Sequence, residues 1–358
     1  MYLTYILLSL LFISIVTFGF ALMFFVVRTT QNKKITKKDF LISLVWGIFY
    51  ITVMFLAMEF YYPATRVLFY YLGFLHFSVL VSAMYWILYG IARIFSHQHL
   101  LRKKWIGYFC IFASLFISFY AAYNFHAEIK IENIEISSDK VSREYNILQV
   151  SDIQHGTVSK DYIKEVVDLI NKQDVDFVVF TGDLVDFDNY KEEDLLVLND
   201  IKVPMYFERG NHELYHFPER ILSYLQKIGS VRLLLNQKES FDEIDIVGID
   251  YQTQKSKYTS LINNVEIDNE RFSILLYHEP KHIEYSAELG YDLLLYGHTH
   301  GGQIWPYTEL VDFMYKYGDG YFQVGKSHVY TSDGAALWGP RMRLGSQNEM
   351  VIFTIKPE

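Results

Sequence analysis

The sequence predicts a region of four membrane-spanning helices followed by a layered α/β domain with β-sheets at its centre. Three observations lead there. Four long stretches without Asp, Glu, Lys or Arg lie within the first 125 residues. From residue 126 onward, apolar residues alternate with polar ones or gather in short runs, as strands require. Charge divides at the same place: residues 1–125 carry 10 Lys and Arg against 2 Asp and Glu, a balance of +8, and the remainder carries 22 against 39, a balance of −17.

The uncharged stretches place the spans at about 2–27, 40–58, 67–92 and 105–125, with His76 inside the third. An apolar run of about 18 residues or more is long enough to cross a bilayer core as a helix. No basic residue precedes the first stretch, unlike a cleaved signal peptide, so it reads as an anchor. Arg28, Lys33, Lys34, Lys37 and Lys38 lie between the first two spans, and Arg93, Arg102, Lys103 and Lys104 between the last two. Only Arg66 lies between the second and third. Short basic loops stay in the cytoplasm, so the domain at 126–358 is expected outside it. So acidic a domain repels a phosphate backbone, and no nucleic-acid partner is expected. The single cysteine, Cys110, lies in the fourth span and allows neither a disulfide nor a thiolate metal site. The spans hold His76, with Glu59 near an end, but no run of charges, so they read as an anchor and not as a transport path.

In the soluble part, "AEIKIENIEI" alternates as a half-buried strand, and "YNILQV" reads as a strand entering the core. "SKDYIKEVVDLINKQ" places Ile163, Val166, Val167 and Ile170 at helical spacing. "VDFVVF", "VPMYFE", "DEIDIVGI", "RFSILLY", "YDLLLY" and "EMVIFTIK" read as further strands. Strands alternate with helical segments first and dominate later, as in a layered α/β domain.

Five buried runs each end on a residue that can bind a metal. "YNILQV" leads to Ser151-Asp-Ile-Gln-His-Gly156, "VDFVVF" to Thr181-Gly-Asp-Leu-Val-Asp186 and "VPMYFE" to Arg209-Gly-Asn-His-Glu213. "RFSILLY" leads to His278-Glu-Pro280 and "YDLLLY" to Gly297-His-Thr-His-Gly-Gly-Gln303. Singly, each is an ordinary turn. Together they put carboxylates, an amide and imidazoles at the tips of rigid strands, which is how a metal cluster is held in position.

These pieces resemble the calcineurin-like metallophosphoesterases, whose pattern is Asp-x-His, Gly-Asp, Gly-Asn-His-Asp/Glu, a single His, then Gly-His-x-His. The resemblance covers about 127–358. It includes "SDGAALWGPRMRLGSQNEMVIFTIK", similar to the closing segment of the branch with membrane-anchored or exported members. It implies a central β-sandwich and a phosphoesterase with two divalent ions, manganese, iron or zinc. Asp183 would bridge the ions, Asp152 and His300 would hold the first, and Asn211, His278 and His298 the second. His212 would face the phosphate, with Glu213 orienting it, and Asp186 would cap the turn after Asp183.

One position departs from the family. Gln154 stands where the pattern has histidine, with His155 one step on. Three readings stay open: Gln154 ligates the first ion, the loop shifts and His155 ligates, or the position is empty. The membrane anchor points to a lipid or envelope-precursor phosphoester, with nucleotides and small phosphoesters as the alternative. A catalytically degenerate membrane sensor is a further alternative, resting on Gln154 alone. The segment 304–325, with Trp305, Tyr307, Phe313, Tyr315, Tyr317, Tyr321 and Phe322, reads either as an aromatic loop packed on the domain or as a lipid-facing rim.

Overall fold

The computed structural model describes residues 2–60, 63–186, 191–215 and 218–358, the side chains of 2–15, 55, 57–60, 63–66 and 218 excepted. The chain divides into two units. One is Met1–Asn124 with Pro340–Met342; the other is Phe125–Gly339 with Arg343–Glu358.

The first unit holds four helices, α1 (Tyr2–Thr30), α2 (Lys37–Phe60), α3 (Pro63–Ile94) and α4 (Lys104–Phe125). Among the described residues, two stretches are long and apolar enough to cross a membrane, Val67–Ile94 and Lys104–Phe125. The described part of α1, Val16–Thr30, is apolar but shorter. The expected spans at 2–27 and 40–58 run through side chains outside the described residues. The unit has a small apolar interior, with Val26, Val81, Tyr85 and Tyr89 in one cluster and Val16, Tyr50 and Leu75 in another, and it also leaves large apolar residues outside. Ser43, Ser78, Ser82, Ser114 and Ser118 are buried, while Phe40, Trp46, Phe49, Ile87, Phe112 and Phe119 face outward. Ser43 and Ser114 donate to the carbonyls of Asp39 and Cys110, four residues back, at 3.1 and 2.9 Å, which satisfies their hydroxyls within the helix.

The second unit begins with β1 (Lys130–Ser138), β2 (Tyr145–Val150), α5 (Lys160–Ile170), β3 (Phe177–Thr181), β4 (Met205–Glu208), α6 (Asn211–Tyr215), α7 (Pro218–Leu225) and β5 (Val231–Leu233). It continues with β6 (Gln237–Phe241), β7 (Ile244–Gly248), α8 (Lys255–Asn263), β8 (Phe272–Leu276), α9 (Ile283–Glu288) and β9 (Leu293–Tyr296). It closes with α10 (Tyr307–Met314), β10 (Gly320–Val324), β11 (Ser327–Thr331) and β12 (Glu349–Pro357). Two six-stranded mixed sheets result, ordered β1-β12-β2-β3-β4-β5 and β10-β11-β9-β8-β7-β6. Ile147, Phe177 and Val179 of the first sheet share a core with Ile246, Ile274 and Leu295 of the second. Helices cover the outer faces: Ile163, Val166, Val167 and Ile170 of α5 pack on the first sheet, and Tyr258 and Ile262 of α8 on the second. Ser159 starts α5 by accepting the Tyr162 N–H.

The structure adds elements that the sequence reading lacks. Strand β5 is three residues long, β6 and β10 leave residues exposed, and β11 is largely buried but carries Ser327, His328 and Thr331 among its five residues. The segment 304–325 is not a loop throughout, because it forms α10 and then β10. Its aromatic residues split. Tyr317 and Phe322 pack against the second sheet's outer core and the Tyr315 hydroxyl donates to Glu279 at 3.0 Å, whereas Trp305, Tyr307, Phe313 and Tyr321 are exposed.

Candidate metal centre

The parallel strands β2, β3, β4, β8 and β9 all point their carboxyl ends to one edge, where α/β sheets collect ligands. The loops there are strained. Asp152, Gln154, Asp183, His298, His300 and Gln303 all take φ between 52° and 74°. A non-glycine residue in that region costs about 1–3 kcal/mol, and such strain gathers at functional sites. The glycines of the motifs serve close approach. A Cβ on Gly182, whose φ is +77°, would lie 2.6 Å from the Gly210 backbone and 2.7 Å from His278 Nδ1. One on Gly210 would collide with the Asp183 carboxylate. So the Gly-Asp and Gly-Asn-His turns touch, and side chains from separate strands converge.

Asp183 is the hub. Its Oδ2 accepts from Gln154 Nε2 at 2.9 Å and lies 3.1 Å from His278 Nε2, and its Oδ1 accepts the His212 N–H at 3.0 Å. His278 donates from Nδ1 to the Thr181 carbonyl at 2.7 Å, which turns Nε2 inward. His298 Nδ1 lies 3.2 Å from that Nε2. Asp183, His278 and His298 each offer a ligand atom within 4.8 Å of the others. Asp152 joins from the next strand: Oδ2 accepts the His298 N–H at 3.0 Å, and Oδ1 lies 3.6 Å from His300 Nε2.

The donor chemistry fits divalent cations. Asp152 Oδ1, Gln154 Oε1 and Asn211 Oδ1 are buried acceptors without a hydrogen-bond donor, as is His300 Nδ1. Buried oxygens left without donors are costly unless a cation faces them. Charge is finely divided. Burial pushes Asp152 up to about 6, while at Asp183 burial is opposed by the charge and hydrogen bonds of His278 and His212, which together hold the carboxyl well below its usual range. Burial, then the His278 charge, pushes His298 down to about 4.

Gln154 and His155 part company. The Gln154 amide stays at Asp183, whereas His155 turns to Asp194, with Nε2 3.3 Å from Oδ2. The structure also corrects the support of His212. Glu213 does not orient it: that buried carboxylate accepts the N–H groups of Asp183, Val185 and Gly210 at 3.0, 3.0 and 2.9 Å, tying two loops together. Asp186 instead faces His212. It lies 2.9 Å from His212 Nδ1 and accepts from Thr157. Burial disfavours the imidazolium, but the Asp186 hydrogen bond and the Asp183 and Asp186 charges raise its pKa to about 9. Asp186→Ala is expected to lower kcat about 10–100-fold while bound metal stays unchanged, as metal analysis beside kinetics would read.

The tail carries a residue that the motifs do not announce. Arg343, fully buried, donates to the carbonyls of His300, Asp333 and Ala336 at 2.7, 2.7 and 2.6 Å, and to Asn348 Oδ1 and Ser346 Oγ at 2.9 Å each. The turn it grips docks on the first ligand loop: Ala335 and Ala336 donate N–H groups to the carbonyls of Ser151 and Asp152 at 2.8 and 3.1 Å.

Comparison with known proteins gives one consistent result. A family model of calcineurin-like phosphoesterases matches residues 145–302. A metallophosphoesterase of Aquifex aeolicus is 32% identical over 243 residues, covering 64% of this chain and 92% of that one. One of Helicobacter pylori is 34% identical over 242 residues, covering 65% of each, less than two thirds of the relative's length. A zebrafish (Danio rerio) transmembrane protein with metallophosphoesterase domain is 29% identical over 250 residues, covering 63% of this chain and 57% of that one.

Proposed function

The chain belongs to the calcineurin-like metallophosphoesterases, metal-dependent hydrolases of phosphoester bonds, and on that premise we propose a membrane-anchored enzyme with a two-metal centre. Asp152, Gln154 and His300 would hold the first ion, Asn211, His278 and His298 the second, and Asp183 would serve both. The observation that carries this reading is the position of Asp183, within 2.9 Å of Gln154 on one side and 3.1 Å of His278 on the other. Bound divalent ions supply a water of lowered pKa as nucleophile and neutralise phosphate oxygens.

The protein's own groups do the rest. His212 keeps a proton through Asp186, and its Nε2, 3.8 Å from Asp183 Oδ2, faces the ligand cluster. It is placed to give that proton to the leaving oxygen. Glu213 fixes the loops of Asp183 and Asn211 against each other, so the ligands need no rearrangement on binding.

Membrane anchoring is supported by two apolar helices of sufficient length, by the buried serines and outward aromatics around them, and by the transmembrane relative. Four spans with the catalytic domain outside the cytoplasm follow from the basic loops. A lipid or envelope-precursor phosphoester suits an anchored domain. Exposed Trp305, Tyr307, Leu310, Phe313 and Met314 on and beside α10 form the apolar rim that such a substrate needs.

The test uses the full chain in detergent with manganese, iron or zinc, and reads metal per chain and hydrolysis of a chromogenic monoester and diester. Two ions per chain and chelator-sensitive hydrolysis are expected. An inert protein with at most one ion supports the degenerate sensor instead. Gln154→His is expected to tighten the weaker ion about tenfold or more, since imidazole is the better ligand for these metals. Unchanged affinity there, with loss in His155→Ala, assigns the position to His155. Faster cleavage of soluble nucleotides than of any lipid phosphate removes the lipid reading.

A further inference from the structure

Two exposed aromatic rings flank His212. The Tyr215 and Trp338 rings each have centroids 6.5 Å from the imidazole, tilted by 52° and 58°. Tyr215 is 60% exposed and Trp338 49% exposed. Neither is placed loosely. Tyr215 ends α6, the short helix that begins with Asn211 and His212. Trp338 follows three fully buried residues, Ala335, Ala336 and Leu337, whose backbone is bonded to Ser151 and Asp152 and gripped by Arg343. Each ring is thus tied by a few bonds to a segment carrying a proposed metal ligand.

Leaving half a tryptophan in water forgoes burial that the neighbouring leucine enjoys. Its position beside the residue that protonates the leaving oxygen gives that exposure a use. We propose that Trp338 and Tyr215 form a platform for a leaving group that offers a flat ring, a nucleoside or an aryl alcohol. The inference rests on the phosphoesterase reading and narrows it. Rings in offset or tilted contact at centroid separations of about 4.5–7 Å attract one another, and stacking tolerates many ring types. Acyl chains have a separate apolar surface, the rim on α10.

The experiment is calorimetric titration of the metal-loaded full chain with two pairs of ligands. Phenylphosphonate is compared with methylphosphonate, and adenosine 5′-monophosphate with ribose 5-phosphate. The ring-bearing member of at least one pair is expected to bind about tenfold tighter. Preference in the phenyl pair alone identifies an aryl source, and preference in the nucleoside pair a nucleobase. Trp338→Ala is expected to shrink that preference to about twofold or less, and Trp338→Phe to restore it. Tyr215→Ala makes the same test should Trp338→Ala fail to fold. No preference in the wild type, or equal weakening of both members in the variants, overturns the proposal. Turnover is read separately: a ring preference in a protein that hydrolyses nothing leaves the platform standing and removes the phosphoesterase reading.

Discussion

In Asp183→Asn, hydrolysis is expected to fall by about a thousandfold or more, with bound metal lost in parallel. The exchange is nearly isosteric, so circular dichroism should match the wild type, and the loss is chemical. Asp183 accepts on both oxygens, from Gln154 and from the His212 backbone, with His278 beside it. An amide in its place presents a donor to one of those groups and removes the negative charge nearest to both ligand sets. Several kcal/mol of metal binding and transition-state stabilisation depend on that charge, and each 1.4 kcal/mol is about tenfold in rate. Activity within about tenfold of the wild type, at full metal occupancy, would refute Asp183 as the shared ligand.

Arg343→Met is expected to have the largest effect on folding, about 3–5 kcal/mol, or roughly 10 °C in the melting of the protein. Methionine fills much of the space, but the carbonyls of His300, Asp333 and Ala336 and the side chains of Asn348 and Ser346 lose their donor inside the protein. Arg343→Lys should fall between the two, because one ammonium cannot span five acceptors set for a planar fork. A melting temperature within about 2 °C of the wild type in Arg343→Met would show the acceptors to be resolvated at little cost.

The parts of the fold that were legible are those buried on both faces. Strands β2, β3, β4, β8 and β9 are central and parallel to a neighbour, so their sequences are mostly apolar, with only Asn146, Gln149, Thr181, Glu208 and Ser273 as polar members. By contrast, Gln237–Phe241 is polar on its exposed side and Val231–Leu233 is three residues long, and neither stands out from a loop. The ligand residues were legible because each follows such a run within a few positions. The support around them was not. That Asp186 holds His212, and that Glu213 instead binds three N–H groups, depends on how two loops from different strands meet. Arg343 is equally silent: an arginine in a glycine-rich tail looks solvated until the tail is seen folded beneath the His300 loop. In the helical unit, length and apolarity were legible, while the side chains of 2–15 and 57–60 lie outside the described residues.

The sheet order has a consequence for biosynthesis. The neighbour of β1 in the first sheet is β12, paired in parallel from Lys130 against Glu349 to Ser138 against Pro357, and β12 also borders β2. A growing chain therefore presents β1 and β2 long before the strand that joins them exists. Until residues 349–357 emerge, the stretch joining α4 to the catalytic core has nothing in that sheet to hold it, and the ligand loops can form on β2, β3 and β4 first. Docking of β1 onto the sheet is then a late event of synthesis, and a ribosome stalled before residue 349 leaves β1 as an unpaired edge.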